Sequence, residues 1–140
     1  VELGLTQTGQ VMGTADYIVQ QTEAWLPPGL LPTLTFLIAG IIAFSTGTSW
    51  GTFAIMMPIA IPLAFSFTGG ELGPVVYASI AAVAGGGVFG DHCSPLSDTS
   101  ILASTGAASD HIDHIKTQLP YAVLVGLISI GAYLVIGMTM

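Results

Sequence analysis

Charge is what this sequence has least of. Only 6% of its 140 residues are Asp, Glu, Lys or Arg, where an ordinary soluble domain carries about 25%. One basic and eight acidic side chains are too few to cover the surface of a small soluble domain. The single basic residue, Lys116, excludes nucleic acid as a partner, because a phosphate backbone is held by clustered Lys and Arg. The single cysteine, Cys93, excludes an internal disulfide and says little about redox compartment. A secretory leader, with its basic, apolar and small-residue regions, is not recognisable at Val1. The chain reads instead as the membrane-embedded C-terminal portion of a longer protein.

Apolar residues make up 52% of the chain, and mean hydropathy is +0.83. Lipid is the solvent that suits such a surface. The net charge of −7 does not come from a solvated acidic run. The acids are scattered, and several sit beside apolar stretches. Glu2, Asp16, Glu23 and Glu71 have no companions and read as solvated.

Residues 1–29 are mixed in character. Thr14, Ala15 and Asp16 suit the start of a helix through Tyr17, Ile18 and Trp25, and Pro27-Pro28-Gly29 suits its end. The expectation is an amphipathic or weakly membrane-associated segment, followed by a transmembrane transport domain over 30–140. Leu30–Phe44 is apolar apart from two threonines. Its length of about 15 residues corresponds to a helix of roughly 22 Å, against a hydrocarbon core of about 30 Å. The polar, uncharged stretch Ser45–Thr52 follows, then a second apolar run, Phe53–Phe67, with Pro58 and Pro62 inside it. Thr68–Pro74 reads as an exposed turn. A third run, Val75–Phe89, ends in Gly85-Gly86-Gly87. Gly90–Ser100 is the most polar segment of the chain. Ile101–Ala108 reads as a half-helix capped by Asp98 or Thr99, and Asp110–Lys116 as a polar helix or loop. Leu119–Met140, at about 22 residues, is the run long enough to span a bilayer unaided. The fold class expected is all-α: a polytopic membrane protein with discontinuous, broken transmembrane helices, part of an inverted-repeat transporter.

The two polar interruptions carry the chemistry. An unpaired backbone N–H or C=O costs several kcal/mol in hydrocarbon, so a break survives there only where protein buries it or a water-filled cavity meets it. Secondary transporters build their sites from such breaks, using helix-end dipoles, free carbonyls and hydroxyls. Those are hard oxygen donors, suited to Na⁺ rather than to a soft transition metal. Asp91 and Asp98 add carboxylates to the second break, and a carboxylate at membrane depth usually marks an ion or proton path. The bland alternative, that both breaks are ordinary surface loops, stays open for Ser45–Thr52 and is the weaker reading for Gly90–Ser100.

Three motifs point elsewhere. Gly47-Thr48-Ser49-Trp50-Gly51 matches the G-x-S-x-G elbow of serine hydrolases, with Asp98 and His111 following in hydrolase order, but that elbow needs a strand before it. Gly85–Gly90 matches G-x-G-x-x-G, which likewise needs a preceding strand; here the glycines suit close helix packing. His92, Cys93, His111 and His114 match no closed zinc spacing, and Cys93 suits packing better than ligation. Asp110, Asp113 and His114 share one helical face, either a solvated helix end or, with His111, the mouth of a proton path.

The stretches Thr46–Phe53 and Gly90–Thr99 resemble signature segments of NhaC-type sodium/proton antiporters. The run Asp110–Tyr121 is similar to the segment that follows them in that family. The resemblance covers Ser45 to Tyr121 closely and the flanks in hydropathy only. It implies a multi-pass transporter of the cytoplasmic membrane, with about ten or more helices when complete, that exchanges Na⁺ for H⁺. Relatives exchange organic acids such as malate and lactate. The ion- and proton-binding residues implied are Asp91, Ser94, Ser97, Asp98 and Thr99, with the hydroxyls Thr46, Thr48 and Ser49 of the first break. Asp98 or Asp91 is the expected shared carboxylate. No cofactor and no enzymatic activity are expected. The expected partners are Na⁺, H⁺, the lipid bilayer and the remaining N-terminal part of the transporter, with room for a homo-oligomer. The alternatives are a coupled organic-acid or amino-acid exchanger and, further off, an intramembrane hydrolase using Ser49.

Overall fold

Proline and glycine set the ends of the helices. The computed structural model describes residues 26–139, together with Tyr17 and Gln21, so most of the segment expected to be amphipathic lies outside the described residues. A 3₁₀ turn at Pro28–Leu30 feeds α1 (Leu31–Thr46), with Pro32 in its first turn. Proline suits that place, where its missing N–H has no helical partner to lose. Gly47 ends α1 in the left-handed region at φ 69°, donating its N–H to the Ala43 carbonyl, the usual glycine stop. Thr48 then caps α2 (Ser49–Phe67) by accepting the Gly51 N–H. Gly73-Pro74 opens α3 (Pro74–Cys93). Ser94 precedes Pro95, and the proline ring disfavours helical backbone at the residue before it. Ser94 is accordingly extended, at ψ 129°, and α3 stops there. The short α4 (Asp98–Gly106) and the long α5 (His111–Thr139) complete the chain.

Helices outlast the apolar runs that predict them. Three helical stretches of 19 or 20 residues, Pro28–Thr46, Ser49–Phe67 and Pro74–Cys93, are long and apolar enough to cross a membrane, as is α5 at 29 residues. Ser45 and Thr46 are helical, and their hydroxyls bond the Ile41 and Ile42 carbonyls one turn back, each at 2.8 Å. Thr52 does the same to Thr48. A back-bonded hydroxyl hides its polarity from lipid, so the spans reach about 28 Å where apolarity alone gives roughly 22 Å. In α5 the polar turn at 111–116 and the apolar run after it form one helix through Pro120. The cap of α4 is Ser97, which accepts the Ser100 N–H, and not Asp98 or Thr99. Asp98 is the first helical residue, where its charge favours the N-terminus.

Packing fixes the directions. The starts of α1 and α3 meet the end of α2 in one cluster around Leu31, Leu63, Ala64, Val75 and Val76, which Leu26 joins. Their middles meet around Ala39, Met56, Ala60 and Val83. So α2 returns antiparallel to two helices that run the same way and packs against both. The α1–α3 seam is built on glycine: a side chain on Gly86 or Gly90 would run into the Phe36 or Gly40 carbonyl. Gly86 and Gly90 are four residues apart, the small-xxx-small spacing that lets two membrane helices touch backbone to backbone. The glycine motif is therefore a packing device. The same seam continues in Ser94 against Phe44, fifty residues apart, as are the pairs 36/86 and 40/90. α5 runs back along α1 and α3, with Gly126 against Phe89, Tyr133 beside Phe36, and Gly137 against Gly29. Much of the outward face of α5 is apolar and exposed, Leu124, Leu127, Ile128 and Val135 among it.

Candidate functional site

The fifty-residue register brings the two polar interruptions together. α1 and α3 end side by side, so the Gly47-Thr48 connection and the Ser94–Ser97 connection lie at the same end of the bundle. Gly47 sits flat against Leu96: a Cβ on Gly47 would lie 2.6 Å from the Leu96 carbonyl carbon and oxygen. Ser94, fully buried, donates to the Phe44 carbonyl at 2.7 Å and accepts the Leu96 N–H at 3.1 Å. Phe44 is in the last turn of α1, where carbonyls lack helical partners. One hydroxyl thus ties the end of α1 to the second interruption and folds that interruption on itself.

Asp91 is the buried carboxylate of this region. It lies in the last turn of α3 and is 4% exposed. Its Oδ2 receives the Thr99 hydroxyl at 3.4 Å, a long contact, while its Oδ1 is buried without a hydrogen-bond partner. Thr99 is also 2.8 Å from the Ser97 hydroxyl. Ser97 is fully buried and caps α4. Asp91, Ser97 and Thr99 therefore form one oxygen cluster, with Ser94 on the same connection. Buried carboxylate oxygens are normally satisfied, so the bare Oδ1 of Asp91 is an acceptor without a donor.

The remaining residues singled out from sequence have other surroundings. Asp98 is exposed and accepts the N–H of Thr99 through Oδ1. Thr46 is exposed, Thr48 is half-buried as the α2 cap, and Ser49 is half-buried in the first turn of α2. Asp110 accepts the N–H groups of Ile112 and Asp113 and so caps α5. Asp113 pairs with Lys116 at 3.3 Å, both exposed, a pair of little energetic weight. His114 is half-buried. His111 reaches back across the connection: its Nε2 is 2.9 Å from the Pro95 carbonyl and its Nδ1 is 3.2 Å from the Ser104 hydroxyl. Ser49 opens a helix, and among the described residues no strand precedes it, so the elbow geometry of a hydrolase is missing.

A larger, mostly apolar groove of about 660 Å³ runs between α3 and α5, lined by Phe36, Val88, Phe89, His92, Gln118 and Tyr133 among others. Asp91 and the hydroxyl cluster do not line it. The buried carboxylate and its hydroxyl partners are in the small cluster, not in the large groove. Sequence reasoning missed the Phe44 and Pro95 carbonyls and Ser104. Backbone carbonyls have no sequence signature, and Ser104 looks like any small residue of α4.

The antiporter family profile described as "Na+/H+ antiporter family" matches residues 3–138. An uncharacterised protein of Haemophilus influenzae is 47% identical over 128 residues, covering 91% of this chain and 24% of that protein. An uncharacterised Na⁺/H⁺ antiporter of the same organism is 36% identical over 116 residues, covering 83% of this chain and 24% of its own length. The arginine/ornithine antiporter ArcD of Halobacterium salinarum is 32% identical over 126 residues, covering 90% of this chain and 25% of that protein. The chain spans about a quarter of the length of these relatives. No solved structure matches it. The match to nearly the whole chain, on helices long and apolar enough to cross a bilayer several times, leads to one conclusion: the chain belongs to the Na⁺/H⁺ antiporter family and is a multi-pass membrane protein.

Proposed function

We propose that the full-length parent of this chain exchanges Na⁺ for H⁺ across the cytoplasmic membrane, and that Asp91 is the carboxylate both cations use. The observation that carries this reading is the bare, buried Oδ1 of Asp91 beside the Ser97 and Thr99 hydroxyls. A carboxylate oxygen can take a proton or help to hold a Na⁺, and one occupant excludes the other. Every donor in the cluster is a hard oxygen, the chemistry of an alkali cation. The C-terminal ends of α1 and α3 converge here, and the carbonyl end of a helix favours a cation. The opposing N-termini of α2 and α4 are already capped by Thr48 and Ser97.

In this reading Ser94 holds the connection against α1, and Ser97 and Thr99 complete the Na⁺ shell. Thr46, Thr48 and Ser49 line the facing connection. Asp98, exposed at the start of α4, draws cations toward the site. A site that holds either Na⁺ or H⁺ and opens to one side at a time exchanges the two. The remaining three-quarters of the parent supplies the other wall of the site.

The test uses everted vesicles carrying the full-length parent, with a pH gradient reported by a fluorescent dye. Adding Na⁺ collapses the gradient in wild type. Asp91→Asn abolishes the collapse, because the variant cannot exchange a proton at that oxygen, while Asp98→Asn raises the Na⁺ concentration needed. Normal Na⁺-dependent flux in Asp91→Asn sinks the assignment.

The relative named as an arginine/ornithine antiporter supports a second reading on the same scaffold, in which an amino acid or organic acid is the cargo. Lys116, the only basic residue, is paired with Asp113 outside the cluster, which favours a small cation over an organic anion. Exchange of labelled arginine, malate or lactate without Na⁺-driven proton flux would favour the second reading.

A further inference from the structure

We infer that His111 is a positioning residue for this site: it clamps the Ser94–Ser97 connection to the start of α5 rather than carrying protons past it. The inference rests on the exchange reading for what the site binds, but its geometry stands apart from that reading.

The Pro95 carbonyl only accepts, so the Nε2 of His111, 2.9 Å away, carries a hydrogen and donates it. That choice leaves Nδ1 facing the Ser104 hydroxyl at 3.2 Å. The same hydroxyl is 2.9 Å from the Ile101 carbonyl. With a bare Nδ1, Ser104 donates to the ring. With a protonated Nδ1, the ring donates to Ser104, and Ser104 donates to Ile101. Both contacts of His111 survive in either state. A group whose bonds outlast its own protonation is suited to holding a loop still.

The connection needs such a hold. Ser94 ties it to α1, Ser97 caps α4, and the Asp91–Thr99–Ser97 cluster hangs between them. Pro95 has no N–H with which to anchor itself. His111 anchors its carbonyl from sixteen residues away, and Ser104, fixed by the same ring, is almost wholly buried in α4. One imidazole thus fixes the connection, α4 and α5 against one another. Removing it leaves Asp91 in place on α3 but lets Ser97 and Thr99 move away from it.

The experiment compares His111→Ala and His111→Gln in the full-length parent. Gln keeps an N–H donor near the position of Nε2 and cannot titrate. His111→Ala should raise the half-saturating Na⁺ concentration about fivefold, the scale of one lost hydrogen bond, with a smaller effect on maximal rate. His111→Gln should stay close to wild type in Na⁺ dependence and keep the wild-type pH profile. Gln as impaired as Ala, or a displaced pH profile in Gln, overturns the clamp in favour of a proton carrier.

A second readout does not depend on cargo. Cys93, the chain's sole cysteine, is 5% exposed at the end of α3, next to the connection. In a parent whose other cysteines are replaced, maleimide labelling of Cys93 should be faster in His111→Ala and unchanged in His111→Gln. Equal labelling of wild type and Ala overturns the clamp. Absence of Na⁺-driven proton flux in wild type, with faster labelling in Ala alone, would refute the exchange reading while upholding the clamp.

Discussion

Gly90→Ala tests the register on which the whole site depends. The added Cβ would collide with the Gly40 carbonyl oxygen and lie 2.8 Å from the Ala43 Cβ and from the Phe44 nitrogen, where carbon atoms in contact sit about 3.5–4.0 Å apart. The listeners to this collision are backbone atoms and a methyl group, none of which can rotate away. Relief requires α1 and α3 to separate by roughly 1 Å. Two terms oppose each other. Alanine is favoured over glycine in a helix by about 1 kcal/mol. Overpacking a closed seam costs about 1–3 kcal/mol, and more where backbone must move. Backbone must move here, so the upper half of that range, about 2–3 kcal/mol, applies; the collision wins by about 1–2 kcal/mol, and the separation also stretches the Ser94–Phe44 hydrogen bond. Gly131→Ala is the control. It lies in α5 with nothing within 4 Å of its Cβ among the described residues, so only the helix-propensity gain applies. The assay is thermal unfolding of the full-length parent in detergent, followed by size-exclusion recovery. Gly90→Ala should melt several degrees below wild type and Gly131→Ala at or above it. A wild-type melting temperature for Gly90→Ala would falsify the close α1–α3 seam and the meeting of the two interruptions with it.

Gly47→Ala meets both a left-handed φ of 69° and the Leu96 backbone. A non-glycine residue there pays a backbone cost of about 1 kcal/mol before any clash, so thermal recovery should fall and Na⁺ affinity with it; unchanged values for both would refute the Gly47–Leu96 contact. Ser94→Ala leaves the Phe44 carbonyl and the Leu96 N–H without the hydroxyl that serves them, at about 1 kcal/mol, the net scale of a hydrogen bond lost where the partners keep access to solvent. Ser94→Thr, which keeps the hydroxyl, should recover part of that loss in the same thermal assay, and equal loss in both variants would assign the effect to volume instead.

Hydropathy and punctuation made the helices legible. The apolar runs from Phe53 and Val75 each lie inside one observed helix, the run from Leu30 starts in the 3₁₀ turn and continues in α1, and the run from Leu119 lies in α5 as far as the described residues go. Pro74, Gly47 and the Ser94-Pro95 pair mark ends because ring and φ constraints act within a residue or two. Helix lengths were less legible, since hydropathy counts Ser45, Thr46 and Thr52 as polar while their hydroxyls are turned back on the helix. The signature stretches around Gly47 and Asp91 could be singled out from composition and resemblance. Their roles could not. Asp91 and Asp98 are equivalent as letters, seven positions apart in one polar segment, yet one is buried with a bare oxygen and the other is exposed at a helix start.

By itself, then, the sequence determined that this chain suits lipid, that it is helical, and where its helices turn. Those properties follow from local forces: transfer of side chains out of water, the fixed φ of proline, the freedom of glycine. Only the tertiary structure decided that α1 and α3 run parallel fifty residues apart, that Gly47 meets Leu96, and that His111 reaches Pro95. Those contacts depend on backbone carbonyls and on the absence of side chains at Gly86 and Gly90, and a carbonyl is the same in every residue. Which one a glycine touches is settled when helices pack.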